Sequence, residues 1–186
     1  MSLELLPTAA ESRTNAAFEE LMWALARPGL IRRLPLAGFA ALAESLIDRE
    51  CSFHVRHDAA LAERLAETGA RAVSLADADY VFAPAGSPED VTALAGLRVG
   101  TLSYPDEAAT LFAPAHFGQE PAGRGPRLRL SGPGIREAIT LQAGGVDPSF
   151  WPMRESAIRY PLGFDLYLVD GDGLIGIPRS TKVEVL

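Results

Sequence analysis

Residues 51–83 read CSFHVRHDAALAERLAETGARAVSLADADYVFA, and the fold class follows from this stretch. Residues 51–55 have the β-branched and aromatic content of a short strand. Asp58 stands where a helix cap belongs, ahead of a predicted helix over 59–67 that Gly69 ends. Residues 71–75 and 79–83 are apolar-rich enough to return to strand. Strands alternating with capped helices build an α/β domain.

Toward the N-terminus the spacing predicts a helix over 15–27, with Phe18, Leu21, Met22 and Leu25 as one apolar face and Pro28-Gly29 as its stop. A second helix is predicted over 38–48. Residues 1–14 read as a loosely ordered arm. They carry Glu4, Glu11 and Arg13 and no long apolar run after a basic start, so they do not resemble a signal peptide. Toward the C-terminus, Ser87-Pro88-Glu89-Asp90 opens a short helix that ends near Gly96. Then follow a turn at 101–105, a strand at 109–113, a Gly/Pro loop at 120–126 and a strand at 127–130. Helices are predicted over 135–142 and 147–159. A hairpin joins 164–169 to 174–177 through Asp170-Gly171-Asp172-Gly173, and a last strand covers 182–185. The sum is one α/β domain over 1–186, a mixed β-sheet flanked by helices.

Composition narrows the function. Hydrophobic residues make up 48% and charged residues 22%, values of a chain that packs a core. A formal net charge of −7 argues against nucleic acid or an anionic membrane as partner, though a few local donors can still hold a small anion. Cys51 is the sole cysteine, so no intrachain disulfide forms, and a cytoplasmic location fits. No apolar run reaches the roughly 18 residues of a membrane span. Phosphate-loop and dinucleotide glycine motifs are absent, as are CxxC and HExxH. With His54, His57 and His116 as the only imidazoles, no metal site is expected.

Four features have both a functional and a structural reading. Ser131-Gly132-Pro133-Gly134 follows a strand and precedes a predicted helix, an arrangement that presents free N–H groups to anions. The same glycines serve a tight turn, and Pro133 removes one donor. Arg154 shares a helix face with Trp151, either as a guanidinium ready for a carboxylate or phosphate or as a side chain snorkelling beside a core Trp. Of the adjacent Phe150 and Trp151, one is expected in the core and the other toward a neighbour. Arg179, Ser180 and Thr181 cluster donors after a strand, as a ligand clamp or as a strand-ending turn. The anion or ligand candidates are therefore Ser131, Gly132, Gly134, Arg154, Arg179 and Thr181. Trp23 sits nearly opposite the apolar face of its helix, as an interface anchor or under cover of its own chain.

Seven segments in order resemble the PhnH family, a subunit of the bacterial carbon–phosphorus lyase system. They are Phe18-Glu19-Glu20-Leu21-Met22-Trp23-Ala24-Leu25-Ala26-Arg27-Pro28-Gly29, Leu46-Ile47-Asp48-Arg49-Glu50 and Gly100-Thr101-Leu102-Ser103-Tyr104-Pro105-Asp106. Leu130-Ser131-Gly132-Pro133-Gly134-Ile135, Phe150-Trp151, Pro161-Leu162-Gly163-Phe164-Asp165 and Ile175-Gly176-Ile177-Pro178-Arg179-Ser180-Thr181 follow. The resemblance implies an accessory, non-catalytic subunit of the core complex that, with ATP, converts alkylphosphonates to ribose-1-phosphonate triphosphates. It implies a homodimer that also binds the other subunits, and a fold similar to the large domain of pyridoxal-phosphate-dependent transferases without the cofactor lysine. The sole lysine here, Lys182, lies in a terminal strand-like run, so no pyridoxal phosphate is expected. The family offers no catalytic residue to carry over. The alternative is a small-molecule module that binds a phosphorylated or nucleotide-like intermediate.

Overall fold

A computed structural model describes residues 6–117 and 125–186. The chain runs through α1 (Ala9–Ala26), β1 (Arg32–Arg33), α2 (Phe39–Leu46), β2 (Ser52–Val55), α3 (Ala59–Ala66), β3 (Arg71–Ala72), β4 (Tyr80–Phe82) and α4 (Pro88–Leu94). It continues through β5 (Thr110–Pro114), β6 (Arg127–Ser131), β7 (Ile139–Gln142), α5 (Phe150–Ala157), β8 (Asp165–Asp170), β9 (Gly173–Ile177) and β10 (Lys182–Val185). Of the loop expected over 120–126, residues 120–124 lie outside the described residues.

The main sheet has seven strands in the order β1-β9-β8-β5-β4-β2-β3. The strands β3, β2, β4, β5 and β8 are parallel neighbours, and β9 and β1 continue the sheet antiparallel. This is a single α/β domain with a mixed sheet. A second, antiparallel sheet of three strands, β10-β6-β7, was not anticipated. Residues 135–142 do not form the predicted helix. Ile139 pairs with Leu130 and Leu141 with Leu128, so the Ile-Thr-Leu-Gln run alternates against β6 as a strand. An apolar run this short has no period long enough to separate helix from strand, and its β-branched residues suit the pleated surface.

α1 also departs from expectation, since it begins at Ala9. Thr8 accepts from the Glu11 amide while Glu11 accepts from the Thr8 amide, a reciprocal cap that starts the helix early. Residues 9–14 of the expected arm are therefore helix.

Alternation along the central strands splits the core in two. Phe53, Phe82, Phe112 and Tyr167 face one side, where they meet Leu21 and Ala24 of α1, Leu42 of α2 and Leu61 and Leu65 of α3. Phe82, Phe112 and Tyr167 are register partners on β4, β5 and β8, and their rings stack at 4.9 and 5.0 Å. Val81, Leu111, Leu166 and Ile175 face the other side, against Val91 and Leu94 of α4, Phe150 and Trp151 of α5, and Leu128 and Leu130 of the small sheet.

Candidate functional site

The second of these cores shapes a cavity of about 470 Å³ between α5, β10 and the connection from β9 to β10. Phe150 and Trp151 are both buried and meet edge to face at 5.2 Å. Neither is sent to the surface, because α5 packs into a cluster that has walls on both the large and the small sheet. Arg154, one turn on, follows Trp151 inward and is only 3% exposed, so it does not snorkel. Its Nη1 donates to the Thr181 carbonyl at 3.3 Å, and Nη2 donates to the carbonyls of Pro178 at 2.9 Å and Ile177 at 3.4 Å.

Those three carbonyls orient the guanidinium, but among the described residues no carboxylate forms an ion pair with it. Burial depresses its pKa to about 10, opposed by the more distant charge of Asp165, so it stays protonated at neutral pH. Three buried polar atoms here have no hydrogen-bond partner: Arg154 Nε, Trp151 Nε1 and Thr181 Oγ1. Two of them can only donate.

Arg154, Arg179 and Thr181, three of the ligand candidates, all line this cavity together with Pro133 and Lys182. Arg179 is not free. Its amide and Nε donate to Asp165 Oδ1 at 2.8 and 3.3 Å, Nη2 donates to Oδ2 at 2.7 Å, and Nη1 donates to the Pro105 carbonyl. Lys182, set aside in the sequence as a Schiff-base residue, is a wall residue paired with Glu184 at 2.8 Å. No local sequence signal announces that role, because it depends on β10 crossing to β6.

The turn at Ser131 to Gly134 is used differently from an anion cradle. A strand follows it, so the turn has no helix N-terminus. Gly132 has φ +134, and a Cβ there would stand 2.9 Å from the Ser180 carbonyl oxygen. Gly134 has φ +81, and a Cβ there would press into the Ala26 carbonyl oxygen. Both glycines permit close backbone approach. Ser131 pairs with Lys182 across the small sheet, and only Pro133 of this turn reaches the cavity.

A second crevice of about 250 Å³ lies at the carboxyl ends of β2, β4 and β5, where Arg56, His57, Pro84 and Pro114 meet. The chain leaves β2 toward β3 and leaves β4 toward β5, so this is the topological switch point at which open α/β sheets receive ligands. Its charges are already met within the chain. Arg56 approaches Glu89 at 3.4 Å and Asp90 at 3.5 Å, and His57, at φ +66, faces Asp90 at 3.7 Å. Among the described residues, no group of three His, Cys, Asp or Glu side chains could hold a metal ion. No described helix is long and apolar enough to cross a membrane.

Trp23 stands on the outer face of α1, and it is not isolated. The buried stripe of α1 is Ala17, Leu21 and Ala24, which leaves Phe18, Met22 and Trp23 exposed at 44%, 51% and 42%. The sequence reading put Phe18 and Met22 on the inner face. Small residues took those places because α1 lies close against β9, where Gly176 offers no side chain. A Cβ on Gly176 would stand 2.5 Å from the Ala24 carbonyl carbon.

The family model described as "Bacterial phosphonate metabolism protein (PhnH)" matches residues 8–184. The putative C-P lyase subunit protein HtxG of Stutzerimonas stutzeri is 34% identical over 93% of this chain and 87% of its own length. The alpha-D-ribose 1-methylphosphonate 5-triphosphate synthase subunit PhnH of Rhizobium meliloti (strain 1021) is 28% identical over 91% of this chain and 90% of its own.

Proposed function

Since the chain belongs to the PhnH family of bacterial phosphonate metabolism proteins, we propose that it acts as an accessory subunit of a carbon–phosphorus lyase assembly in phosphonate catabolism. The assembly's reaction is ATP-dependent conversion of alkylphosphonates to ribose-1-phosphonate triphosphates, and the chemistry lies on other subunits. The observation that carries the subunit role is the outer face of α1. Phe18, Met22 and Trp23 form an apolar patch on the solvent-facing side of the helix, beside the charge of Glu19. Large aromatics in such a patch act as anchors once a partner seals them from water.

The chain is further read as a cytoplasmic homodimer whose large sheet is similar to the large domain of pyridoxal-phosphate-dependent transferases but takes no such cofactor. In support, the sole lysine lies on β10 of the small sheet, away from the carboxyl ends of the parallel strands. Size-exclusion chromatography with light scattering checks the dimer, and titration with pyridoxal phosphate checks the cofactor.

The subunit role is tested by co-expressing the tagged chain with the other genes of its phosphonate cluster. The native chain should bring down partner subunits in a fixed ratio. Trp23→Glu should reduce recovery at least tenfold while the melting temperature of the isolated chain stays within a few degrees, because the side chain is not part of the core. Full recovery with Trp23→Glu removes this face from the interface, and no co-purification of the native chain removes the subunit role.

A further inference from the structure

We propose that the cavity between α5, β10 and the β9–β10 connection is a binding site for a small organic monoanion with an apolar body. The charge on Arg154 sets the head group. Carbonyl dipoles at Thr181, Pro178 and Ile177 hold the guanidinium in place, but they do not neutralise it. A buried cation without a counter-charge is costly, and an anion brought into the cavity next to it relieves that cost. The unpartnered Trp151 Nε1, Arg154 Nε and Thr181 Oγ1 are sealed behind the wall. Donor-rich and short of acceptors, they add positive potential without taking up the ligand's own oxygens.

Apart from the exposed Glu155, the other charges at the cavity cancel in pairs. Arg179 is paired with Asp165 and Lys182 with Glu184, and the lining carboxylate Glu155 lies on the exposed side of α5. One buried positive charge remains, which matches one negative charge on a ligand. The walls set the body: Trp151, Ile158, Val183 and Pro133 present apolar surface. A volume of about 470 Å³ suits a ligand of one ring and its substituents. The shared ligand chemistry is a singly charged head on an apolar body, a phosphonate that keeps one proton or a carboxylate, and the two anions titrated below distinguish them.

This site goes beyond the subunit role, and its test uses the full-length chain alone, so loss of assembly and loss of binding are read separately. The chain has two tryptophans, Trp23 and Trp151, hence two indole N–H resonances in a 15N spectrum, which Trp23→Phe assigns. Phenylphosphonate, benzoate and the neutral benzamide are titrated in turn, with dissociation constants from calorimetry. At least one anion should shift the Trp151 indole resonance saturably while that of Trp23 stays still, and it should bind at least tenfold tighter than benzamide. The tighter anion identifies the head group. Lys182→Glu adds a negative charge to the wall at an exposed position and should weaken the anion at least tenfold without unfolding the chain. No saturable Trp151 shift with either anion, equal affinity for benzamide, or unchanged affinity in a folded Lys182→Glu variant overturns the proposal.

Discussion

Ser52 is buried at the start of β2, and its hydroxyl donates to Asp79 Oδ2 at 2.6 Å while its amide donates to the same oxygen at 2.9 Å. The Asp79 amide returns a bond to the Ser52 hydroxyl at 3.0 Å, and Arg98 pairs with the other carboxylate oxygen. Burial works to raise the Asp79 pKa, but the Ser52 hydroxyl and amide together with Arg98 outweigh it and hold the carboxyl below its usual range. A carboxyl depressed on folding adds stability that is fully present above its unfolded pKa of about 4 and is lost as pH falls through the lower folded value. Ser52→Ala should therefore cost about 1 kcal/mol at pH 7, in the range of one hydrogen bond to a partly solvated charge. The difference from the native chain should narrow at pH 3, and urea unfolding at the two pH values measures it. A gap of equal size at both would assign the effect to packing or to the bond from Ser52 to the Asp77 carbonyl. Neither this network nor the burial of Arg154 was legible in the sequence. The partners of Arg154 are carbonyls at the end of β9 and on the connection that follows it, and a local pattern carries no information about them.

At the scale of elements, α1 and β9 make the clearest case of sequence chemistry fixing a contact. Leu21 and Ala24 turn inward, Gly176 admits the backbone at Ala24, and the Tyr167 hydroxyl donates to the Leu21 carbonyl at 2.9 Å in a buried bond. Gly176→Ala should push α1 away from the sheet and destabilise the chain by about 1–3 kcal/mol, the usual cost of overpacking. Thermal unfolding measures the loss, and increased amide exchange confined to α1 and β9 would locate it. An unchanged melting temperature would mean that the helix shifts freely. The capped helices were legible because Asp58 and Ser87 accept bonds from the amides of Leu61 and Asp90, as their residue types suggest. The face of α1 was not, since Phe18 and Met22 have the hydrophobicity of core residues, and only the close approach at Gly176 sends smaller side chains inward. β1 escaped notice for another reason. Two arginines at a sheet edge have no alternating pattern, and β1 exists because β9 offers it a partner.

Over the whole molecule, the alternation that predicted an α/β domain also determines that one sheet carries two cores. The parallel strands were legible as short apolar runs, but strand order was not, because pairing among runs of two to six residues is decided by what covers each face. On β5, Leu111 and Phe112 are neighbours in sequence, both fully buried, on opposite faces. Phe112 stacks between Phe82 and Tyr167 above α1–α3, while Leu111 faces α5 and the small sheet that build the anion cavity. If the sheet couples the two cores into one cooperative unit, either substitution should lower the same single transition. Leu111→Ala should cost about 2–5 kcal/mol and Phe112→Leu less, since the second leaves a smaller void. Circular dichroism reports the whole chain, and the Trp151 indole resonance reports the side on which Leu111 lies. Coincident midpoints in both variants are expected. If Phe112→Leu lowered the midpoint by circular dichroism while Trp151 held its native signal, the two faces would unfold separately. The cavity would then keep its shape without α1, and the subunit face and the anion site would be energetically independent. A single transition means instead that strain introduced at one face reaches the other through β5, so a partner seated on α1 and an anion beside Arg154 stabilise the same folded unit.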